Sequence, residues 1–119
     1  MIAAIDHVQL AMPPGGEDAA RAFYCGMLGL NEVEKPMPLA ARGGCWFELG
    51  PVRLHLGVEQ EFRPARKAHP ALLVHDLPRF IATLQARGLA VREDNELPHM
   101  PRANIDDPFG NRIELVASP

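Results

Sequence analysis

The chain has 119 residues, of which 47% are apolar and 23% are charged, which is usual for a soluble globular protein. Its formal net charge is −3, and the lysines and arginines are scattered, which argues against a nucleic-acid-binding surface. No apolar run approaches the roughly 20 residues that cross a bilayer, and the N-terminus lacks the basic segment of a signal peptide. We therefore expect a cytoplasmic protein that does not bind membranes. Cys25 and Cys45 follow no metal-type spacing, and we expect reduced thiols there.

The landmarks of the two half-chains follow one another in the same order, which indicates an internal repeat. Each half opens with a short strand that contains a histidine, IDHVQLAM with His7 and AHPALLV with His69. Near the end of each half, VRLHLG and NRIELV align without gaps and match His55 with Glu114. The offsets are 69 − 7 = 62 and 114 − 55 = 59 residues, a difference that one loop accommodates. We predict a single domain over residues 1–119, with a first module over 1–62, a linker over 63–68 and a second module over 69–119.

Each opening strand is followed by a segment that predicts a helix of about three turns. The first helix is expected over about residues 17–28, with Gly29 as the left-handed residue that ends it. The second follows Asp76, a suitable N-cap, has Pro78 in its first turn and ends at Gly88. The 12 prolines favour several short strands joined by turns after each helix. The expected order in each half is thus βαβββ.

Side chains alternate between the two faces of a strand, so the apolar positions show which residues point the other way. In IDHVQLAM, the apolar face is formed by Val8, Leu10 and Met12, and the other three strands show the same alternation. The residues left on the opposite faces include His7, Gln9, Arg53, His55, His69, Arg112 and Glu114. Because a buried His or Glu without a partner would cost kilocalories, we expect these faces to be paired, hydrated or bound to a ligand.

These features resemble the glyoxalase, bleomycin resistance and extradiol dioxygenase superfamily, also called vicinal oxygen chelate proteins. The resemblance is carried by the histidines of the opening strands, by DPFGNRIEL near the C-terminus and by the βαβββ order. It implies an α+β fold in which two βαβββ modules form a U-shaped, partly closed sheet around a cavity, with one helix per module on the outside. It also implies a small-molecule substrate and a homodimer, with the cavity formed within one chain or between two.

The same resemblance implies a set of metal ligands. In the superfamily, ligands come from positions that match His7, His55, His69 and Glu114, and three imidazoles with one carboxylate suit zinc, nickel, manganese or iron. Glu114 would then be both a ligand and the catalytic proton shuttle, while the divalent ion stabilises an anion that develops on a substrate oxygen. Glyoxalase I usually has Glu or Gln at a position like that of His55. Fosfomycin-modifying members use a His, His, Glu set that matches His7, His69 and Glu114.

Further residues on the same strand faces, or near them, are candidates for binding the substrate: Gln9, Trp46, Arg53, Arg102 and Arg112. Arg53 and Arg112 could hold an anionic group of the substrate bidentately. The alternative is that these arginines pair with Glu48 or with other surface acids. Trp46 and Phe47 lie on opposite faces of one strand, so one of them packs in the core and the other faces the cavity or an interface.

Two classes of function are consistent with the sequence. The leading hypothesis is a metal-dependent, glyoxalase-like enzyme of lyase, isomerase or dioxygenase type that acts on a small oxygen-bearing metabolite, because all candidate ligands are present. The alternative is a metal-free protein of the bleomycin-resistance type that binds or sequesters a small molecule. A member whose metal site is vestigial is a third possibility, and metal analysis of the purified protein separates these classes.

Overall fold

The computed structural model describes all 119 residues of the chain. In chain order the elements are β1 (Val8–Met12), α1 (Glu17–Arg21) continued by a π-helix (Ala22–Met27), β2 (Asn31–Val33), a 3-10 helix (Leu39–Arg42), β3 (Cys45–Leu49), β4 (Val52–Val58), β5 (Ala71–Val74), α2 (Leu77–Ala86), β6 (Arg92–Asp94), β7 (Arg102–Asp106) and β8 (Arg112–Ala117). None of the helices has the length and apolar character that crossing a membrane requires.

The strands form two four-stranded sheets with the same connectivity. The first sheet has the order β1-β4-β3-β2 and the second the order β5-β8-β7-β6. In each sheet the first pair of strands is parallel and the other two pairs are antiparallel. Each sheet belongs to one of two compact units, residues 1–64 and 65–119. The expected α+β class and the βαβββ order of each half are confirmed.

The strand register repeats between the two units. Gln9 on β1 lies opposite His55 on β4, and Ala71 on β5 lies opposite Glu114 on β8. The opening histidine precedes this position by two residues in both cases, since 9 − 7 = 2 and 71 − 69 = 2. Residues two apart share a strand face, so each opening histidine lies on the face of its matched partner.

The core of the first unit follows the expected alternation, since Leu10, Met12, Leu54 and Leu56 are all buried. Its helix differs from the expectation in one respect, because a π-helix replaces the second half of the predicted α-helix. In an α-helix, neighbouring side chains point about 100° apart, whereas here the consecutive aromatic residues Phe23 and Tyr24 are both buried. Tyr24 stacks on Phe47 with a centroid distance of 5.2 Å, which joins helix and sheet.

The helix of the second unit begins and ends where the sequence predicts. The Asp76 side chain accepts a hydrogen bond from the Arg79 amide at 3.4 Å, and Gly88 follows the helix with a φ of 89°. One apolar face of this helix packs in the core. Leu77, Ile81 and Leu84 are buried, whereas Phe80 is half-buried.

The DPFGN segment forms the tight turn that aligns β7 with β8. The Asp107 carbonyl accepts a hydrogen bond from the Gly110 amide at 3.1 Å, and the Asp107 carboxylate accepts the amides of Phe109 and Asn111 at 2.9 Å. The Asn111 side chain, which is fully buried, donates to Asp107 and accepts from the Ala65 amide. A buried polar pair must be satisfied internally, and this pair holds β8 in register.

Candidate functional site

Three aromatic rings form a stack on one face of the first sheet. The rings of His7 and His55 have centroids 4.1 Å apart and planes 17° apart, and those of His55 and Trp46 are 4.1 Å and 5° apart. Trp46 and His55 are directly opposed across β3 and β4. Phe47, which is fully buried, fills the core on the other side of the strand. Trp46 therefore lies on the face that carries the candidate ligands.

His55 is the buried member of this stack, with only 6% of its surface exposed. Burial lowers the pKa of His55 below its ordinary value of 6.5, and the neighbouring charge of His7 lowers it further. Both effects penalise the imidazolium form, so a neutral ring is favoured between the two flanking rings.

Asp6 connects two of the predicted site residues at the exposed end of the stack. Its carboxylate lies 3.0 Å from His7 Nδ1 and 3.0 Å from Arg53 Nη1. Since a carboxylate only accepts, Nδ1 is the donor, and Nε2 of a neutral His7 keeps its lone pair. The hydrogen bond from His7 lowers the pKa of Asp6. Arg53 is thus paired with a surface acid, although the acid is Asp6 rather than its cross-strand neighbour Glu48.

A histidine–carboxylate pair occupies the matching position of the second sheet. His69 Nε2 lies 2.9 Å from Glu114 Oε1, and the two side chains are 21% and 16% exposed. The other nitrogen, Nδ1, faces the backbone carbonyls of Lys67 at 2.9 Å and Arg66 at 3.2 Å. Carbonyls only accept, so Nδ1 carries a hydrogen, and a neutral ring would then present a lone pair to the carboxylate. A proton or another cation must lie between Nε2 and Oε1.

Arg102 flanks this pair from β7. It forms an ion pair with Asp94 at 2.9 Å, and its Nη1 lies 3.6 Å from Glu114 Oε2. The two oxygens of Glu114 therefore face different groups. Arg112 lies opposite Asp106 across β7 and β8, and the Nε atoms of Arg102 and Arg112 are buried without a hydrogen-bond partner.

The chain matches the glyoxalase/bleomycin resistance protein/dioxygenase superfamily over residues 4–115. The chain belongs to this superfamily. No curated protein matches the chain.

Solved structures of the superfamily fold cover almost the whole chain. A glyoxalase family protein from Bacillus anthracis is 46% identical, with a TM-score of 0.96 and coverage of 100% of this chain and 98% of that chain. The antibiotic-binding protein TnmS3 from a Streptomyces species is 25% identical, with a TM-score of 0.75 and coverage of 99% and 100%. A variant of the fosfomycin resistance protein FosX from Listeria monocytogenes, in complex with Mn(II) and a dihydroxypropylphosphonic acid, is 15% identical. Its TM-score is 0.80, with coverage of 100% and 95%, and this likeness concerns the fold alone.

The pairs His7–His55 and His69–Glu114 differ in how well they fit the coordination geometry of a single metal ion. Ligand atoms bonded to one ion at roughly 2.1 Å and at right angles are about 3.0 Å apart. His69 Nε2 and Glu114 Oε1, at 2.9 Å, fit this spacing. Only one of the stacked rings of His7 and His55 can bind a given ion. The lone pair of a ring nitrogen lies in the plane of its ring, and two nearly parallel planes cannot both contain the ion. No group of three or more His, Cys, Asp or Glu side chains is arranged for a metal ion in this structure.

Two acids that were not among the predicted site residues contact members of that set. Asp6 immediately precedes His7, and an Asp-His pair ahead of a strand is a sequence signal for this contact. Asp94 lies opposite Arg102 across β6 and β7, a pairing that only the strand register reveals. Both acids fix the orientation of a predicted site residue.

Proposed function

We propose that this superfamily member is a metal-dependent, glyoxalase-like enzyme of lyase, isomerase or dioxygenase type that acts on a small oxygen-bearing metabolite. The observation that carries the proposal is the contact between His69 and Glu114. The Nδ1 hydrogen of His69 is directed at backbone carbonyls, so a proton or another cation is needed between Nε2 and Oε1, which lie 2.9 Å apart. A divalent ion there takes the place of a proton, as metal ligands release protons on binding.

The ligands that we propose are His69, Glu114 and His7, with His55 stacked behind His7. Asp6 supports the assignment of His7, because a metal-binding histidine commonly donates its other nitrogen to a carboxylate. The donor set suits zinc, nickel, manganese or iron, and the Mn(II) held by the FosX variant makes manganese a reasonable first choice. That these ligands meet on one ion, within one chain or across a homodimer, remains a prediction.

The chemistry follows from the residues around the carboxylate. When bound, the ion would act as a Lewis acid toward a substrate oxygen. Glu114 would accept a proton from the substrate and return it. Arg102 Nη1 forms an ion pair with the second oxygen of the Glu114 carboxylate at 3.6 Å. Trp46 and Gln9, on the candidate-ligand face of the first sheet, would contact the organic part of the substrate.

A second candidate function is metal-free binding of a small molecule. The stack of His7, His55 and Trp46 favours it, since planar aromatic surfaces bind flat ligands without any chemistry. The likeness to an antibiotic-binding protein at 25% identity supports the same candidate.

Metal binding separates the two candidates. Metal-free protein is incubated in turn with Mn(II), Zn(II), Ni(II) and Fe(II), desalted and analysed for bound metal. We expect about one ion per chain for at least one of them. Glu114→Gln should weaken metal binding more than about 100-fold, because it removes a charged ligand. Loss of a residue that only hydrogen-bonds to a metal ligand typically weakens binding about 10–100-fold.

The matched control is Glu93→Gln, which removes an equal charge from an exposed position on β6. It should leave the metal affinity unchanged. Failure of all four ions to bind the wild-type protein would overturn the metal-dependent proposal in favour of metal-free binding. Equal weakening by both variants would show a nonspecific charge effect and would remove Glu114 from the site.

A further inference from the structure

A small cavity in the first unit lies beside the aromatic stack and has a positively charged lining. Its volume is about 270 Å³, and the lining includes Gln9, Lys35, Arg42, Trp46 and Gly57. Pockets for drug-sized ligands measure roughly 300–1,000 Å³, so this cavity suits a smaller molecule. Nothing in the metal chemistry proposed above uses its two cationic residues.

The segment that carries the cations is held close to the sheet by its backbone. Gly43 and Gly44 have φ values of 76° and 85°, and a Cβ on Gly44 would lie 2.1 Å from the carbonyl oxygen of Leu56. Only glycine permits so close an approach to β4. The Glu17 carboxylate accepts the Gly44 amide at 2.9 Å, and Lys35 Nζ donates to the Gly43 carbonyl. The cavity wall is therefore built into the fold.

The lining contains cations and no carboxylate. Arg42 is exposed and forms no ion pair within the chain. Lys35 uses one hydrogen for Gly43, which leaves its ammonium two further donors. The Glu17 carboxylate near Lys35 is engaged mainly by the Gly44 amide, which lowers the pKa of Glu17. An uncompensated guanidinium beside an ammonium attracts an anion.

The other half of the lining is polar and aromatic. Because Gly57 lacks a Cβ, the Gln9 carboxamide lies directly against it, and a Cβ there would meet Gln9 Nε2 at 2.5 Å. Trp46 is the last ring of the stack, with His55 parallel to it at 4.1 Å. The indole borders the cavity, so a flat ligand in the cavity can pack against it.

We propose that this cavity binds a small planar carboxylate, with its unsaturated part against Trp46 and its carboxylate on Arg42 and Lys35. The Gln9 amide donates a further hydrogen bond. The inference rests on the proposed function in one respect only, since it names the substrate class of that enzyme. The cavity itself needs no metal.

The test uses the fluorescence of Trp46, which is the single tryptophan of the chain. The full-length protein is titrated in EDTA with benzoate, with benzamide as the neutral analogue of the same shape, and with cyclohexanecarboxylate as the non-planar anion. Benzoate should change the emission saturably. Benzamide and cyclohexanecarboxylate should each bind at least about 5-fold more weakly, because one lacks the charge and the other the flat ring.

Arg42→Gln should weaken benzoate binding about 10-fold, and Arg63→Gln, an exposed arginine outside the cavity lining, should leave it unchanged. The absence of a saturable change, equal binding of benzoate and benzamide, equal binding of benzoate and cyclohexanecarboxylate, or an unaltered Arg42→Gln variant would each overturn the proposal. EDTA removes divalent ions, so this titration is independent of metal binding. Binding of benzoate without any binding of metal would refute only the metal-dependent function. A protein that binds metal but no planar anion would refute only this inference.

Discussion

The two units place different chemistry at matching positions of the same strand pairs. In the first unit the position opposite Gln9 holds His55, which is 6% exposed and lies between two parallel rings. In the second unit the position opposite Ala71 holds Glu114, which contacts a histidine and an arginine. The first arrangement favours a neutral ring, and the second needs a proton or another cation between the histidine and the carboxylate.

This difference arises from side-chain identity on a repeated backbone. The opening histidines have the same spacing to the matched position, yet His7 stacks on an imidazole while His69 meets a carboxylate end-on. The nitrogens of a stacked ring point away from the neighbouring ring, whereas a ring in end-on contact directs one nitrogen at its partner. Under the proposed function, the second unit would anchor the ion and the first would provide the surface for a flat ligand.

The largest effect expected from this comparison concerns the two stacked histidines. His7→Gln should weaken metal binding more than about 10-fold, because Nε2 of His7 is available while Asp6 holds Nδ1. His55→Gln should weaken it less than about 3-fold, because nearly parallel rings cannot share an ion. Isothermal titration of each variant with Mn(II) measures both values. The reverse order would show that His55 is the ligand and that the rings rearrange on binding.

A smaller effect is expected from the outer ring of the stack. Trp46→Leu should lower the free energy of unfolding by about 1 kcal/mol, since it removes one aromatic pair while keeping an apolar side chain. Asn104→Leu alters the matched position opposite Glu114 and should change stability by less than about 0.5 kcal/mol. Urea unfolding followed by circular dichroism compares the two, because the first variant has no tryptophan. Equal losses would show that the stack contributes nothing specific.

The smallest effect is the pH dependence that His55 confers. Its pKa is lowered on folding, so the unfolded chain takes up the proton more readily. Stability from this group is complete above pH 6.5 and is lost as the pH falls through the folded pKa. The unfolding free energy in EDTA should decline from pH 7.5 to 5.5, with a slope of at most about one proton from this residue.

His55→Gln is the control for this pH dependence, and it should show a flatter profile over the same range. The lowered pKa values of Asp6, Glu17 and Asp106 act in a separate window, because their ordinary values are 3.8 to 4.5. An identical slope in the variant would mean that burial of His55 does not influence stability near neutral pH.

Much of the fold could be predicted from local signals. Gly29, Asp76 and Gly88 mark helix ends because their conformations are intrinsic to short segments, and the alternation of Leu10, Met12, Leu54 and Leu56 fixes strand faces. The π-helix could not be predicted, because it depends on two adjacent aromatic residues, Phe23 and Tyr24, packing together in the core.

The candidate site was predictable as a set of residues but not as a set of contacts. The repeat predicts which residues match the opening-strand histidines, because the two halves have the same strand register and the same spacing of these residues. The stacking of His55 on His7 and the pairing of Arg53 with Asp6 involve residues far apart along the chain, and the contact of Arg102 with Glu114 joins two paired strands. Side-chain directions at such distances depend on how strands twist and pack.

The sequence by itself determined the duplicated βαβββ order and the strand face of each candidate ligand, because both rest on spacing and alternation, which local backbone geometry enforces. The superfamily follows from the match of the sequence to the family model. Only the tertiary structure decided that one matched pair is stacked and the other ionic, and that Lys35 and Arg42 line the same cavity as Trp46. Those outcomes depend on burial and on contacts between different strands, whose energies cannot be read from the spacing of residues in the sequence.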